Sequence, residues 1–111
     1  MSKRPTDLLL NDIIEAIDKI EQYIKGLSRN DFLKDSKTID AVARNLEIIG
    51  EAANRLPDEF KEKYWEIEWY KVVGLRHRIV HEYFGIDIQI IWQILHKDLP
   101  ELRIAVSQIR D

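Results

Sequence analysis

The stretch LRHRIVHEYFG, Leu75 to Gly85, brings Arg76, His77, Arg78, His81 and Tyr83 within about two turns of a helix. These residue types suit phosphate chemistry. A guanidinium grips phosphoryl oxygens through two parallel hydrogen bonds. Histidine is the side chain best suited to moving a proton near neutral pH. With Val72 at zero and about 100° per residue, Val72, Val73, Leu75, Ile79, Val80 and Phe84 fill one apolar arc. Arg76 falls in the middle of that arc, and Tyr83 lies almost in line with it. His77 and His81 form a second column at its edge, and Lys71 and Arg78 point away to solvent.

A guanidinium on an apolar face is costly unless it is paired or faces a wet cleft. Two readings stay open on the residues alone. Arg76 can be a packing arginine whose acid is Glu47 or Glu51, with His81 a structural histidine and Tyr83 a core aromatic whose hydroxyl sits at the rim. Alternatively, Arg76, His81 and Tyr83 converge on a bound phosphate. The spacing His77-x3-His81 also fits two metal ligands. However, HRIVH lacks the glutamate of the zincin pattern, and Arg76 and Arg78 oppose a cation, so no metal site is expected.

The elements that would position these groups are all helical. Thr6 to about Leu27 carries an amphipathic stripe of Leu9, Leu10, Ile13, Ala16, Ile17, Ile20, Tyr23, Ile24 and Leu27. GLSRNDFLKDS reads as a connection with room for one helical turn. A second helix is expected from Ser36 or Lys37 to Leu56, with Ile39, Val42, Ala43, Leu46, Ile49, Gly50 and Ala53 on one face and Pro57 as its stop. A short helix after Asp58 and a turn lead to a helix from about Glu68 to Tyr83, capped by Gly85. Asp87 caps the helix IQIIWQILHKDL, and a last helix restarts at Asp98 or Leu99 with Pro100 in its first turn. The fold class expected is all-α, an up-and-down bundle of four to five helices forming one domain over 1–111.

Composition narrows the function. At 45% hydrophobic and 33% charged residues the chain is globular, and its 111 residues bury a core without staples. It has no cysteine, which excludes disulfide frameworks and thiolate metal sites. No segment resembles a signal peptide or a membrane span, so a cytoplasmic protein with no membrane association is expected. A net charge of −3 argues against a general nucleic-acid binder. Local charge differs from the sum. Asp58, Glu59, Glu62, Glu66 and Glu68 crowd one segment, whereas from Tyr70 to His81 the chargeable groups are all basic or histidine. Such focusing attracts a phosphate even on an acidic molecule.

Arg76-x4-His81-x-Tyr83 resembles the signature of the HEPN superfamily, specifically its HepT-like branch. The landmarks RNLEIIGEAANRLP (Arg44–Pro57), YFGID and IIWQILHKDLPEL resemble the same family in the same order, so the likeness covers most of the chain. His77 stands where that family often has asparagine. The resemblance implies a metal-independent endoribonuclease toxin of a type VII-like toxin–antitoxin pair, needing no cofactor. It implies a four-to-five-helix bundle that homodimerises and brings two R-x4-H motifs into one cleft. Arg76 and His81 would be the catalytic pair acting on an RNA substrate; read from the residues themselves, His77, Arg78, Glu47 and Glu51 are expected in supporting or phosphate-binding roles. The partner implied is an MNT-type nucleotidyltransferase antitoxin that silences the toxin by adenylylating Tyr83. Two other classes fit the same residues: a non-catalytic helical interaction module, suggested by Trp65, Trp69 and Trp92, and a nucleotide-binding module using the same basic cleft.

Overall fold

The computed structural model describes residues 4–75 and 88–110. Every regular element among them is helical. Helix α1 (Thr6–Ile24) starts on Pro5, whose carbonyl accepts from the Leu8 and Leu9 amides at 3.1 Å each. It ends where Gly26 turns the chain at φ 79°, a torsion that glycine adopts without a Cβ clash. Ser28 then starts α2 (Arg29–Lys34) with a capping box. Its hydroxyl accepts from the Asp31 amide at 3.1 Å, and the Asp31 carboxylate accepts from the Ser28 amide at 3.3 Å. The connection expected between the two long helices is therefore itself a short helix, fastened to the core by buried Phe32.

Asp35 closes α2 and opens α3 (Ser36–Arg55). Its carboxylate accepts from the Thr38 amide at 3.1 Å and the Thr38 hydroxyl at 2.6 Å. Those bonds, the hydroxyl first, hold the Asp35 carboxyl below the usual carboxylate range. A lowered folded pKa contributes stability above the unfolded value and loses it as pH falls through the folded one. Asp35→Ala therefore lowers the melting temperature at neutral pH. The gap from the parent narrows as pH drops below the ordinary carboxylate range, a trend checked by thermal melts across a pH series.

Helices α1 and α3 form the main packed pair. Ile13, Ile17 and Ile20 face Val42, Leu46 and Ile49, all essentially inaccessible. Fully burying each such side chain is worth about 1.5–3 kcal/mol. Two details depart from the periodicity. Tyr23, on the expected stripe, is 40% exposed. Asn45 is buried on the apolar face of α3, where its amide donates back to the Ala41 carbonyl at 2.9 Å and so needs no tertiary partner.

Leu56 is extended ahead of Pro57, which ends α3 as expected. The short helix α4 (Asp58–Lys63) follows, with Asp58 and Glu59 in its first turn and Lys61 and Lys63 in its last, each sign matched to the helix dipole. Next come α5 (Trp69–Val73) and, beyond 76–87, α6 (Ile88–Gln93). The expected stop and restart near Pro100 is replaced by a π-helical turn, Ile94–Asp98, leading into α7 (Leu99–Arg110). Gln93 and Leu99 on either side both have right-handed helical torsions, and the Leu99 amide reaches back to the Ile94 carbonyl. Pro100 has no amide to donate and its ring crowds the preceding turn. One widened turn accommodates both without breaking the helix.

Helix α7 lies against α1, where Arg103 clasps Asp18 through Nε at 2.6 Å and Nη2 at 3.2 Å. The buried side chains of these helices join in one core cluster, to which α4 adds only the partly buried Phe60. The all-α bundle expected from the sequence is the observed class. Among the described residues no helix is long and apolar enough to cross a membrane.

Candidate active site

Of the residues singled out by type and spacing, Arg76, His77, Arg78, His81 and Tyr83 lie outside the described residues, as do the expected caps Gly85 and Asp87. What the structure places are the elements on either side of them and, on α3, Glu47 and Glu51.

On the approach, the helix expected from Glu68 to Tyr83 starts at Trp69, with Glu68 as its N-cap residue. Trp69 is 6% exposed and locks the corner: its indole N–H donates to the Tyr64 carbonyl at 3.1 Å, and its ring packs 6.1 Å from that of Phe60. Phe60 in turn packs on Tyr64 at 4.9 Å. Val72 and Leu75 are buried on the arc drawn from the sequence. At Gly74, a Cβ would stand 3.2 Å from the Tyr70 carbonyl oxygen, a tight approach that favours glycine two residues before the arginine motif.

The basic run beginning at Lys71 has an acid at its start. The Lys71 ammonium lies 3.2 Å from the Glu68 carboxylate, which also accepts from the Tyr70 hydroxyl at 3.0 Å. Bonding from Lys71 first, and Tyr70 second, holds the Glu68 carboxyl below its ordinary range; the same pairing raises the Lys71 ammonium. Lys71 points to solvent as expected, but its charge is locally answered. The sequence reading missed Glu68 as its partner, although an i,i+3 pair of opposite sign is a readable signal.

On the departure side, α6 is held by Ile91 and by Trp92, whose ring lies 5.5 Å from Phe32 and 4.1 Å from His96. His96 Nδ1 is 3.0 Å from the Trp92 carbonyl oxygen. This third histidine went unremarked in the sequence, where its i,i+4 relation to Trp92 marks it as a stacking partner. Of the three tryptophans, Trp69 and Trp92 pack on the core and Trp65 is 74% exposed.

Glu47 and Glu51 sit on α3, which packs against α5. Glu47 is half-buried, with one Oε 3.9 Å from the Arg44 guanidinium, and Glu51 is exposed. Glu47 is the better shielded of the two.

Known proteins match over the same span. Residues 13–109 match the family described as Ribonuclease HepT-like. The protein named "Putative RNase TTE0752", from Caldanaerobacter subterraneus subsp. tengcongensis, is 41% identical over 90% of this chain and 89% of its own length. The "Probable ribonuclease HepT" of Thermococcus cleftensis is 40% identical over 97% of this chain and 98% of its own. The "Gamma-glutamylcyclotransferase and putative RNase MJ0434" of Methanocaldococcus jannaschii is 38% identical over 98% of this chain, which covers 49% of that protein. No solved structure matches. A family match reaching from α1 to α7, joined by relatives at this identity over nearly their full length, shows that this chain belongs to the HepT-like ribonuclease family.

Proposed function

We propose that the chain is a metal-independent endoribonuclease, the cytoplasmic toxin of a type VII-like toxin–antitoxin pair, acting as a homodimer of single-domain subunits. Membership in the HepT-like ribonuclease family, joined to the R-x4-H-x-Y spacing of Arg76, His81 and Tyr83, carries the proposal.

In-line cleavage of RNA needs a base and an acid, and each chain offers one histidine in the motif's H position. A two-fold dimer supplies two. One His81 takes the proton of the ribose 2′-hydroxyl, and the freed oxygen attacks phosphorus. The bond from phosphorus to the 5′-oxygen breaks as the second His81 protonates the leaving oxygen. The products are a 2′,3′-cyclic phosphate and a 5′-hydroxyl. The two Arg76 guanidiniums stabilise charge on the phosphorane-like transition state. Because one histidine must be neutral and the other protonated, the rate profile against pH is bell-shaped. Terminal analysis of the fragments tests the chemistry: cyclic phosphate ends are expected, and 3′-hydroxyl ends contradict it.

Silencing by the nucleotidyltransferase antitoxin works through Tyr83. Adenylylation adds a phosphodiester charge and a nucleotide beside the motif, where the new phosphate pairs with Arg76 in place of RNA. Tyr83→Phe is expected to cleave RNA within a few-fold of the parent and to stay active after incubation with antitoxin and ATP. Mass spectrometry should find an AMP adduct on the parent and none on the variant. An equally silenced variant would move the modification elsewhere.

A further inference from the structure

A trough runs between the 64–75 segment and α7. Its wider end is a groove of about 300 Å3 floored by Val72, Leu75, Leu102 and Ala105. Its narrower end, about 220 Å3, shares Ile67 and Ala105 and reaches Ile109. From Asp98 to Ile109 the α7 side extends about 16 Å at about 1.5 Å per residue, the length of three helical turns.

Among the described residues the rim is acidic: Glu66, Glu68, Asp98 and Glu101 line the wider groove, and Lys71 is the one basic side chain among them. Lys71 is paired chiefly with Glu68 at 3.2 Å and also feels Asp98, so among the described residues one cation answers four carboxylates. Next in sequence to the lining residues Glu66 and Lys71 stand the two most exposed aromatics among the described residues, Trp65 at 74% and Tyr70 at 71%. Large aromatics left in water next to an apolar groove mark contact surfaces.

We infer that this trough docks a basic amphipathic helix of a partner protein. Its apolar side chains enter between Val72, Leu102 and Ala105, and its lysines or arginines reach Glu66, Asp98 and Glu101. This is the helix-in-groove mode, with charge setting orientation and specificity. The carboxylates also repel a polyanion such as RNA. The inference stands independently of the ribonuclease reading.

The probe is a fluorescein-labelled helical peptide of fourteen residues, with leucine at every third or fourth position and lysine elsewhere. Its counterpart carries glutamate in place of lysine. Anisotropy titrations with the full chain should show saturable binding of the lysine peptide, weakening with salt, and binding at least about tenfold weaker for the glutamate peptide. The double variant Asp98→Lys, Glu101→Lys should lose about tenfold in affinity, as should Ala105→Arg, which plugs the floor. Glu59→Lys with Glu62→Lys on α4 makes the same change of net charge away from the trough and should stay within about twofold. Circular dichroism keeps the comparison to folded chains, and the two Lys variants sit at exposed positions. Equal loss in the α4 control reduces the effect to bulk charge and overturns the inference. So does absence of binding, or a self-associated state that Ala105→Arg dissolves.

Discussion

His81→Ala is expected to lower RNA cleavage by at least about 1,000-fold while leaving the bundle folded. General acid–base catalysis contributes about 100- to 10,000-fold to a step, and in the proposed dimer one substitution removes both the base and the acid. A 1,000-fold loss corresponds to about 4 kcal/mol of transition-state stabilisation. Arg76→Lys is a finer probe of the same site. It keeps the charge but loses the two-pronged geometry, so cleavage should fall while the charge on the cleft is unchanged. Single-turnover cleavage of a fluorogenic oligoribonucleotide measures both, with circular dichroism and sedimentation confirming fold and assembly. A His81→Ala chain that cleaves within about tenfold of the parent would remove this histidine from the chemistry.

Phe32→Ala is expected to cost about 3–5 kcal/mol, the range for deleting a buried aromatic ring. Phe32 is 1% exposed and is the only buried residue of α2. A helix of six residues does not hold itself together in water, so its docking rests on that ring and on the Ser28 capping box. The ring also lies 5.5 Å from Trp92, which ties α2 to the helix that follows the motif. The loss is a large share of the about 5–15 kcal/mol by which domains of this size are stable. Denaturant titration should show it as a lower midpoint, and Trp92 emission should shift with it. Leu33→Ala, the next residue, is the control: Leu33 is 47% exposed, and its loss should stay within about 0.5 kcal/mol. Equal effects at the two positions would mean that α2 is not anchored by Phe32.

The two long helices were legible in the sequence because their apolar residues recur every three or four positions over five turns. Ile13, Ile17, Leu46 and Ile49 are buried as that spacing requires. Boundaries carried by a single residue were legible too: Pro57 ends α3, and the short helix begins at Asp58. Short elements were harder. Only Phe32 of α2 faces the core, so no periodicity exists to be read. The π-turn was hidden because Asp98-Leu99-Pro100 carries the usual marks of a helix start, whereas the Leu99 amide stays in the preceding helix by reaching Ile94. Asn45 escaped notice because its hydrogen bond to Ala41 is local, which lets a polar side chain lie on an apolar face.

The candidate site was legible differently. Arg76 stood out as a charge on an apolar arc, and the surrounding landmarks resembled a family to which the chain does belong. Val72 and Leu75, which begin that arc, are buried as drawn. The answering charge on Lys71 was not drawn, since composition counted Glu68 with the acidic segment before it rather than with its i,i+3 neighbour. Of the tryptophans read as interface anchors, Trp65 alone is exposed, because Trp69 and Trp92 are spent on the corners that flank the motif.

The most direct measurement incubates the purified chain, its Tyr83 shown by mass spectrometry to be unmodified, with total cellular RNA in EDTA. Cleavage that persists in EDTA and disappears in a folded, equally assembled His81→Ala chain is the expected result. An unmodified, assembled parent that leaves the RNA intact in EDTA, or cuts it only when divalent ions are restored, would contradict metal-independent catalysis at His81.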